Sequence, residues 1–314
     1  METPETPRSS ERRSVPRTIT PLSGVPAVGA MTSLRFPLNQ TQIEDRVRSA
    51  LDEDGAFNDI TTIATIVSDR RSRATLTARQ NGVVAGVPLA LEAFRLLDQK
   101  ASIRVEHEDG AAVKQGEPVL FVTGHARGLL SAERVALNYI QRLSGIATLT
   151  SRYVDCVKDT NAKILDTRKT TPGWRALEKY AVRAGGGTNH RMNLSTAVLI
   201  KDNHLAAVDG DIGKAVARAR ELAPPGTKIE VECDRFEQVE DAVAAHADII
   251  LLDNMSTDLL REAVRLVSGR AILEASGGVN LNTVKGIAET GVDWISVGAL
   301  THSAPAMDLA LDFD

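Results

Sequence analysis

The sequence predicts an α/β protein in which an N-terminal α+β, sandwich-like domain precedes a C-terminal incomplete (β/α) barrel. Two patterns favour this fold class. Short β-rich runs lie close together between residues 73 and 123, and after residue 162 buried strand-like runs alternate with amphipathic helices. A chain of 314 residues, 43% of them hydrophobic, is long enough to build two domains of this kind.

Composition argues against several classes of protein. The two cysteines, Cys156 and Cys233, lack the spacing of a zinc site or a disulfide framework, which favours a reducing, cytoplasmic compartment. No run of about 18 apolar residues occurs, so we expect no membrane insertion. The basic residues are not interleaved with aromatic residues, and the chain as a whole is acidic, so we expect no nucleic-acid partner.

The chain divides into four segments. Residues 1–33 are rich in Pro, Ser, Thr and Arg without a hydrophobic period, so we expect a disordered leader, in which Met31 is an alternative start. Residues 34–136 are assigned to the N-terminal domain and residues 137–303 to a catalytic barrel. We expect residues 304–314 to pack back on the N-terminal domain.

The N-terminal domain is predicted to begin with an amphipathic helix. Thr41 and Glu44 are expected to form a capping box at its start, and Gly55 is expected to end it. Its buried stripe consists of Ile43, Val47 and Leu51. Strands are predicted at 74–78, 82–87, 103–106 and 119–123, with one helix at 88–97.

The segment 109–120 is similar to the sheet turn of biotinyl and lipoyl carrier domains. Such carriers commonly present a lysine within Met-Lys-Met or Asp-Lys-Ala, and this chain contains neither tripeptide. We therefore interpret the turn as part of the architecture.

Two helices are predicted next, at 131–143 and 146–158, separated by Gly145. Helices and buried strands then alternate, which implies a parallel sheet. The strands are predicted at 163–167, 197–201, 228–232, 248–253, 271–275 and 293–297.

Polar or glycine residues stand at the end of each predicted barrel strand. Because the carboxyl ends of parallel strands meet at one rim, these residues are expected to face one site. Each of them alone is as easily a capping or loop residue. The strand ends are 166–170, 201–204, Glu232, 253–254, 276–278 and Gly298.

The stretch 127–201 is strongly basic. It contains 13 Lys and Arg against 5 Asp and Glu, a local charge of +8 in a chain whose net charge is −4. Such a stretch is either a solvated basic surface or a site for an anionic ligand. Cations gathered at one rim repel one another unless ligand anions offset their charge. The candidate cations at the rim are Arg168, Lys169, His190, Arg191 and Lys201.

Two glycine-containing strand ends predict a phosphate site. Backbone N–H groups and helix N-termini bind phosphate, and the last two strands of a βα barrel are a common place for such a site. The segments are Ser276-Gly277-Gly278, before a helix expected at Asn280, and Ser296-Val297-Gly298, before one expected at Leu300.

Glu232 and Asp253 stand on adjacent strands opposite the cations. They are either salt-bridge partners of those cations or ligands of ribose hydroxyls or of a hydrated Mg²⁺, which prefers one or two carboxylates together with phosphate oxygens. Glu230 is expected to face the opposite way from Glu232 along their strand, and Glu232 is preferred because it lies at the strand end.

Four motifs resemble those of the quinolinate phosphoribosyltransferase family. They are long, ordered and correctly spaced, and the resemblance runs from about residue 34 to residue 313. The motifs are Asp166-Thr167-Arg168-Lys169-Thr170-Thr171-Pro172-Gly173, Gly185-Gly186-Gly187 with Asn189-His190-Arg191, Leu199-Ile200-Lys201-Asp202-Asn203-His204, and Leu251-Leu252-Asp253-Asn254-Met255. The resemblance implies a reaction of NAD biosynthesis, in which quinolinate and 5-phosphoribosyl-1-pyrophosphate give nicotinate mononucleotide, pyrophosphate and CO₂.

The resemblance also implies where the ring acid binds. Arg168, His190, Arg191 and Lys201 would surround the quinolinate carboxylates. Lys169 would lie between quinolinate and the phosphoribosyl donor and act as a catalytic residue.

The same resemblance implies where the donor binds. Glu232 and Asp253 would hold the ribose and Mg²⁺ as catalytic and metal-binding residues, and the Ser276 and Gly298 loops would bind the 5-phosphate. Arg134 is similar to the arginine that reaches into the partner subunit's site, which implies a homodimer or a higher homo-oligomer.

Two other functions stay open. Transfer to nicotinate or another ring acid without decarboxylation would need fewer cations than this rim and Arg134 provide. A module that only binds a phosphorylated metabolite, with the first domain as a carrier, is disfavoured by the missing carrier lysine motif.

Overall fold

The computed structural model describes residues 34–314, and the predicted leader with Met31 lies outside the described residues. Leu34–Asp314 forms one compact unit, in which an antiparallel and a parallel sheet are joined by a long helix. The α/β class with an incomplete barrel is confirmed. Among these residues, no helix has the length and apolar character needed to span a membrane.

The first part of the described chain alternates short helices and strands. Its helices are α1 (Gln40–Glu53), α2 (Ile60–Thr65) and α3 (Val87–Leu97), with a 3₁₀ turn at Ala56–Asn58. Its strands are β1 (Arg71–Ala78), β2 (Gly82–Val83), β3 (Ser102–Val105), β4 (Ala112–Val113) and β5 (Pro118–His125).

The second part begins with the long helix α4 (Ala126–Val157) and continues as βα units. Its strands are β6 (Lys163–Leu165), β7 (Val198–Ile200), β8 (Ile229–Cys233), β9 (Ile249–Asp253), β10 (Ile272–Ser276), β11 (Trp294–Ser296) and the C-terminal β12 (Leu309–Phe313). Its further helices are α5 (Arg175–Ala184), α6 (Asp202–Ala206), α7 (Ile212–Leu222), α8 (Phe236–Ala244), α9 (Thr257–Val267), α10 (Val284–Ala288) and α11 (Ala299–His302).

Helix α1 is capped by Asn39, so the expectation of a capping box at Thr41 and Glu44 is wrong. The side chain of Asn39 accepts the N–H of Gln42 at 2.9 Å, and the side chain of Gln42 accepts the N–H of Asn39 at 3.0 Å. An N-cap needs extended backbone, which Asn39 has with ψ 171°, whereas Thr41 is already helical. The predicted stripe of Ile43, Val47 and Leu51 is buried.

The N-terminal sheet is antiparallel and has the order β12-β1-β5-β3. Strand β12 therefore returns from the end of the chain to pair with β1, with Ala74 opposite Phe313. Strand β2 is shorter than the predicted 82–87, because Gly86, at φ 101°, turns the chain into α3.

The carrier-like turn joins the two parts of the fold. Asp109 accepts the backbone N–H of Val87 at 2.9 Å and the hydroxyl of Tyr180 on α5 at 2.7 Å. Burial raises the pKa of the Asp109 carboxyl. Lys114 is exposed. These contacts support the interpretation of the turn as architecture.

Helix α4 is continuous, so the prediction of two helices separated by Gly145 is wrong. Gly145 stays helical and serves as a crossing point for the C-terminal segment. A Cβ at this position would lie 2.0 Å from the carbonyl oxygen of Pro305 and 3.0 Å from Cα of Ala306. The same crossing is held by a hydrogen bond from the N–H of Met307 to the carbonyl of Gln141 at 2.9 Å.

The barrel sheet is parallel, with the order β6-β11-β10-β9-β8-β7. Each of its strands begins and ends within two residues of its predicted bounds. Apolar residues such as Ile250 and Leu252 are fully buried along β9. Because the strands are parallel, their carboxyl ends and the residues that follow them share one rim, which places the candidate site.

Candidate active site

A cavity of about 430 Å³ opens where the barrel strands end. It is polar, and charged side chains of both signs contribute to it. Its lining residues are Thr167, Arg168, Lys169, His190, Arg191, Leu199, Lys201, Glu232, Leu251, Asp253, Glu274, Ser276 and Ser296.

Most of the predicted site residues meet in this cavity. Gly277 and Gly278 continue the chain from Ser276 at its edge, and a Cβ on Gly298 would lie 3.3 Å from Cδ of Lys169. Arg134 does not line it and is exposed on α4. The predicted residues that line it are Arg168, Lys169, His190, Arg191, Lys201, Glu232, Asp253, Ser276 and Ser296.

Two arginines crowd one side of the cavity. Burial and the charge of Arg168 lower the pKa of Arg191. The Nε of Arg168 is buried and has no hydrogen-bond partner among the described residues. The backbone carbonyl of Ala197 accepts one N–H of the Arg191 guanidinium at 3.0 Å. Both guanidinium groups therefore bring positive charge to the cavity lining, which suits a ligand with planar carboxylates.

Two carboxylates, Glu232 and Asp253, line the same cavity. One oxygen of Glu232 forms an ion pair with Nζ of Lys201. One oxygen of Asp253 accepts the side-chain amide of Asn254 at 2.8 Å. Within residues 34–314, the second oxygen of each carboxylate accepts no hydrogen bond from the protein, so it stays available to a ligand.

Glu230 and Glu232 share a face of β8, and the expectation that they face opposite ways is wrong. Residues two apart on a strand point to the same side. Glu230 lies one pleat deeper, only 2% exposed, and its Oε2 lies 3.2 Å from Nε2 of His190. Glu232 lies at the open end and lines the cavity, so the strand-end criterion selects the carboxylate that faces the cavity.

His190 sits on the cavity floor between two buried glutamates. Its Nε2 lies 3.2 Å from Glu230 and 3.3 Å from Glu274, and its Nδ1 accepts the backbone N–H of Arg191 at 2.7 Å. Burial alone would lower the pKa of His190, but hydrogen bonds and charge from both glutamates raise it to about 10. Burial raises the pKa of Glu230. The imidazole is therefore the ionic partner of both buried carboxylates.

A buried ion pair holds the loop that carries His190 and Arg191. Lys179 on α5 and Asp166 after β6 are both fully buried and pair directly. Lys179 also donates to the carbonyl of His190 at 3.0 Å, and Asp166 accepts the N–H of His190 at 2.9 Å and the amide of Asn189 at 2.6 Å. The loop is thereby tied to a strand and a helix of the barrel.

The glycine loop at 276–278 has backbone that glycine adopts readily, but the helix predicted directly after it begins later in the chain. Gly277 and Gly278 have φ of 91° and 61°, a region that residues with a side chain seldom adopt. The helix expected at Asn280 begins at Val284, so no helix N-terminus directly follows the glycines. Ser296 is 4% exposed, and its hydroxyl donates to Glu274.

The sequence reasoning missed Glu274 and the structural role of Lys179. Glu274 interrupts the otherwise apolar run of β10, and a carboxylate in a buried strand is a signal that could have identified it. Lys179 shows no comparable signal, because a lysine within an amphipathic helix ordinarily faces solvent.

A larger cavity of about 710 Å³ lies elsewhere, between α1 and α4. Arg46, Tyr139 and Trp174 contribute to it, with the two aromatic rings stacked 5.3 Å apart. None of the predicted site residues lines it, so the smaller cavity is the candidate site.

Two protein-family models match this chain. The family model described as "Quinolinate phosphoribosyl transferase, C-terminal domain" matches residues 146–312, and the one described as "Quinolinate phosphoribosyl transferase, N-terminal domain" matches residues 59–144. Together they span both parts of the described fold.

Individual relatives agree with the family models. The chain is 43% identical over 275 residues to the "Probable nicotinate-nucleotide pyrophosphorylase (carboxylating)" of Bacillus subtilis, covering 88% of this chain and 94% of the relative. It is 47% identical over 276 residues to the "Nicotinate-nucleotide pyrophosphorylase (carboxylating)" of Mycobacterium leprae, covering 85% and 96%. The structure of the nicotinate-nucleotide pyrophosphorylase from Francisella tularensis matches with a TM-score of 0.83 at 39% identity, covering 89% of this chain and 99% of that one. The chain therefore belongs to the quinolinate phosphoribosyltransferase family.

Proposed function

We propose that this chain is a pentosyltransferase that catalyses the carboxylating nicotinate-nucleotide pyrophosphorylase reaction of NAD biosynthesis. Quinolinate and 5-phosphoribosyl-1-pyrophosphate give nicotinate mononucleotide, pyrophosphate and CO₂. The observation that carries the proposal is the cavity at the strand ends, whose lining includes both Arg168 and Arg191 and the carboxylates of Glu232 and Asp253. Membership of the family and the names of the relatives support it.

The cationic side of the cavity binds the ring acid. Arg168, Arg191 and Lys201 provide charge and hydrogen-bond donors for two carboxylates, and His190 lies beneath them. A guanidinium meets a planar carboxylate through two parallel hydrogen bonds, which fixes the orientation of the ring as well as its position. A dicarboxylate fits this charge better than a monocarboxylate does.

The carboxylates of Glu232 and Asp253 are assigned to the phosphoribosyl donor. Departure of pyrophosphate builds positive charge on the ribose carbon, which Glu232 and Asp253 stabilise. Lys169, exposed at the rim between both halves, holds the leaving group and offsets its charge. The pyridine nitrogen then attacks the ribose carbon, so the protein contributes chiefly by positioning the two substrates.

Decarboxylation follows from the product of that attack. Once the ring nitrogen is cationic, loss of the adjacent carboxylate as CO₂ leaves an electron pair on carbon next to positive charge, and that carbon then takes up a proton from water. The substrate therefore stabilises its own carbanion. Arg168 and Arg191 hold the ring through this step.

Glu232 and Asp253 are suited to hold Mg²⁺, directly or through water. Each has an oxygen that is free of protein hydrogen bonds within residues 34–314, and Mg²⁺ prefers one or two carboxylates together with phosphate oxygens. When bound, Mg²⁺ would help to neutralise the leaving pyrophosphate.

The two glycine-containing loops are assigned to the 5-phosphate. Positive φ at Gly277 and Gly278 lets backbone approach an anion closely. The Gly298 loop follows the neighbouring strand β11. The binding residues assigned here are Ser276, Gly277, Gly278, Ser296 and Gly298.

Arg134 completes the assignment if two chains share sites. It is exposed on α4 and lies outside its own chain's cavity. An arginine that binds substrate in the partner subunit's site must be accessible in this way. We assign a homodimer or a higher homo-oligomer and a cytoplasmic location. The domain boundaries at 34–136 and 137–303 stay predictions.

The reaction is tested by supplying quinolinate or nicotinate with 5-phosphoribosyl-1-pyrophosphate and Mg²⁺. We expect turnover of quinolinate, with release of labelled CO₂ from its 2-carboxylate. Preferential turnover of nicotinate without CO₂ would replace the proposal with a non-decarboxylating transferase. Binding of both substrates without any turnover would support the binding-module alternative.

A further inference from the structure

Asn254 has an unusual backbone for its place in the fold. It directly follows Asp253 at the end of β9 and has φ 55°, in the left-handed region that residues with a side chain rarely adopt. Between residues 34 and 314, the other non-glycine residues in this region are Asp209, His246 and Ser268, and none of them lines or adjoins the candidate active site. Such strain persists where surrounding contacts hold it, and it is frequent at functional sites.

The contacts of Asn254 reach two strand ends at once. Its side-chain Nδ2 donates to Oδ2 of Asp253 at 2.8 Å. Its backbone N–H donates to the carbonyl of Ser276, the last residue of β10, at 2.9 Å. One residue therefore contacts both the carboxylate of β9 and the start of the glycine loop.

The side chain of Asn254 also occupies the space that Gly277 leaves open. A Cβ on Gly277 would lie 2.1 Å from Oδ1 and 2.4 Å from Cγ of Asn254, and 2.9 Å from its backbone nitrogen. Gly278, by contrast, has no atom within 4 Å of such a Cβ. The absence of a side chain at position 277 is thus matched to the amide of Asn254, whereas at 278 only the backbone conformation calls for glycine.

We propose that Asn254 is a positioning residue that couples Asp253 to the glycine loop 276–278. This inference rests on the proposed function, in which Asp253 meets the ribose and the loop meets the 5-phosphate of one donor molecule. Asn254 holds these two groups at a fixed separation, and it does so without contact with the ring acid. Its loss affects recognition of the donor and spares recognition of quinolinate.

A simpler role for Asn254 is that of a turn residue, since asparagine tolerates left-handed backbone better than most residues. The two roles differ in what glycine can replace. Glycine adopts the same backbone at no steric cost, so it satisfies a turn but not a side-chain contact.

Asn254→Gly and Asn254→Ala separate the two roles in the full-length chain. For Asn254→Gly we expect KM for 5-phosphoribosyl-1-pyrophosphate to rise about tenfold or more, the effect of losing a hydrogen bond to a charged group. KM for quinolinate should stay within about twofold. Asn254→Ala should show the same defect together with a lower unfolding midpoint, because alanine also strains the left-handed backbone. A wild-type KM for the donor in Asn254→Gly would overturn the proposal.

The packing is tested through Gly277→Ala in two backgrounds. In the wild-type chain the new Cβ meets the Asn254 amide, so we expect a large fall in unfolding midpoint. In the Asn254→Gly chain the fall should be smaller, because that amide is absent, which is the non-additivity of residues in contact. Equal falls in both backgrounds would overturn the coupling.

The two kinds of failure are distinguishable. An inactive wild-type enzyme would overturn the proposed function, while the unfolding midpoints, which need no substrate, would still report whether Asn254 and Gly277 are coupled.

Discussion

Lys169 is exposed at the cavity rim, and its backbone is held on both sides. Its N–H donates to the Thr167 hydroxyl at 3.0 Å, and its carbonyl accepts the Thr301 hydroxyl at 2.7 Å. Because these bonds involve the backbone, replacing the side chain should leave them intact. We expect Lys169→Ala to lower kcat by about 100-fold or more with an unchanged unfolding midpoint, since it removes charge that the leaving group requires.

Lys114→Ala is the matched control for Lys169→Ala. Lys114 is also an exposed lysine, and it lies in the carrier-like turn. We expect its removal to leave kcat unchanged. A loss of activity in Lys114→Ala would show that the turn is more than architecture, and full activity in Lys169→Ala would show that its assignment is wrong.

At the scale of single elements, α4 depends on having no side chain at Gly145. The ideal Cβ would lie 2.0 Å from the Pro305 carbonyl oxygen, which belongs to backbone and cannot swing aside. We expect Gly145→Ala to reduce the free energy of unfolding by about 1–3 kcal/mol, as overpacking does. Urea unfolding measures this change.

Gly286→Ala is the control for the substitution at Gly145. Gly286 is also helical, within α10, but no atom lies within 4 Å of its ideal Cβ. Alanine there should leave stability unchanged or raise it by up to about 1 kcal/mol, because glycine is a poor helix former. Equal destabilisation at both positions would contradict the crossing of α4 by the C-terminal segment.

The ion pair of Asp166 and Lys179 makes α5 the support of the loop at 185–191. Lys179→Met should reduce the free energy of unfolding by about 3–5 kcal/mol, because Asp166 would be left buried and unpaired. Asp166→Asn combined with Lys179→Met should recover part of that loss. Urea unfolding of both variants is the measurement, and a double variant no better than the single one would contradict this account.

At the scale of the whole molecule, shared sites predict complementation between two inactive variants. If Arg134 serves the partner's cavity, Arg134→Ala on one subunit and Lys169→Ala on the other both affect the same cavity of a hybrid dimer and leave the other cavity intact. Mixed subunits should then contain one intact site in each hybrid dimer and recover about a quarter of wild-type activity. No recovery, with subunit exchange verified by mass, would show that Arg134 does not act across subunits.

The features of the whole molecule that could be predicted are those that a local sequence pattern determines. The barrel strands alternate regularly with helices and carry polar ends, so the sequence located both the strands and the rim. The face shared by Glu230 and Glu232 was also predictable, since it follows from the two-residue period of a strand. The errors at Asn39 and Gly145 differ in kind. Asn39 and Thr41 are both residue types that favour an N-cap, with Asn the stronger, so local chemistry could have selected Asn39, whereas Gly145 is explained only by a distant segment.

The pairing of β12 with β1 has a consequence for synthesis on the ribosome. The edge partner of an early strand is translated after the whole barrel, so β1 must wait with one hydrogen-bonding edge open while the rest of the chain emerges. Open strand edges invite pairing with other chains, and nascent chains generally fold in order from the N-terminus. Premature termination before Leu309 would therefore yield a chain whose barrel is complete but in which β1 keeps an exposed edge that can pair with strands of other chains.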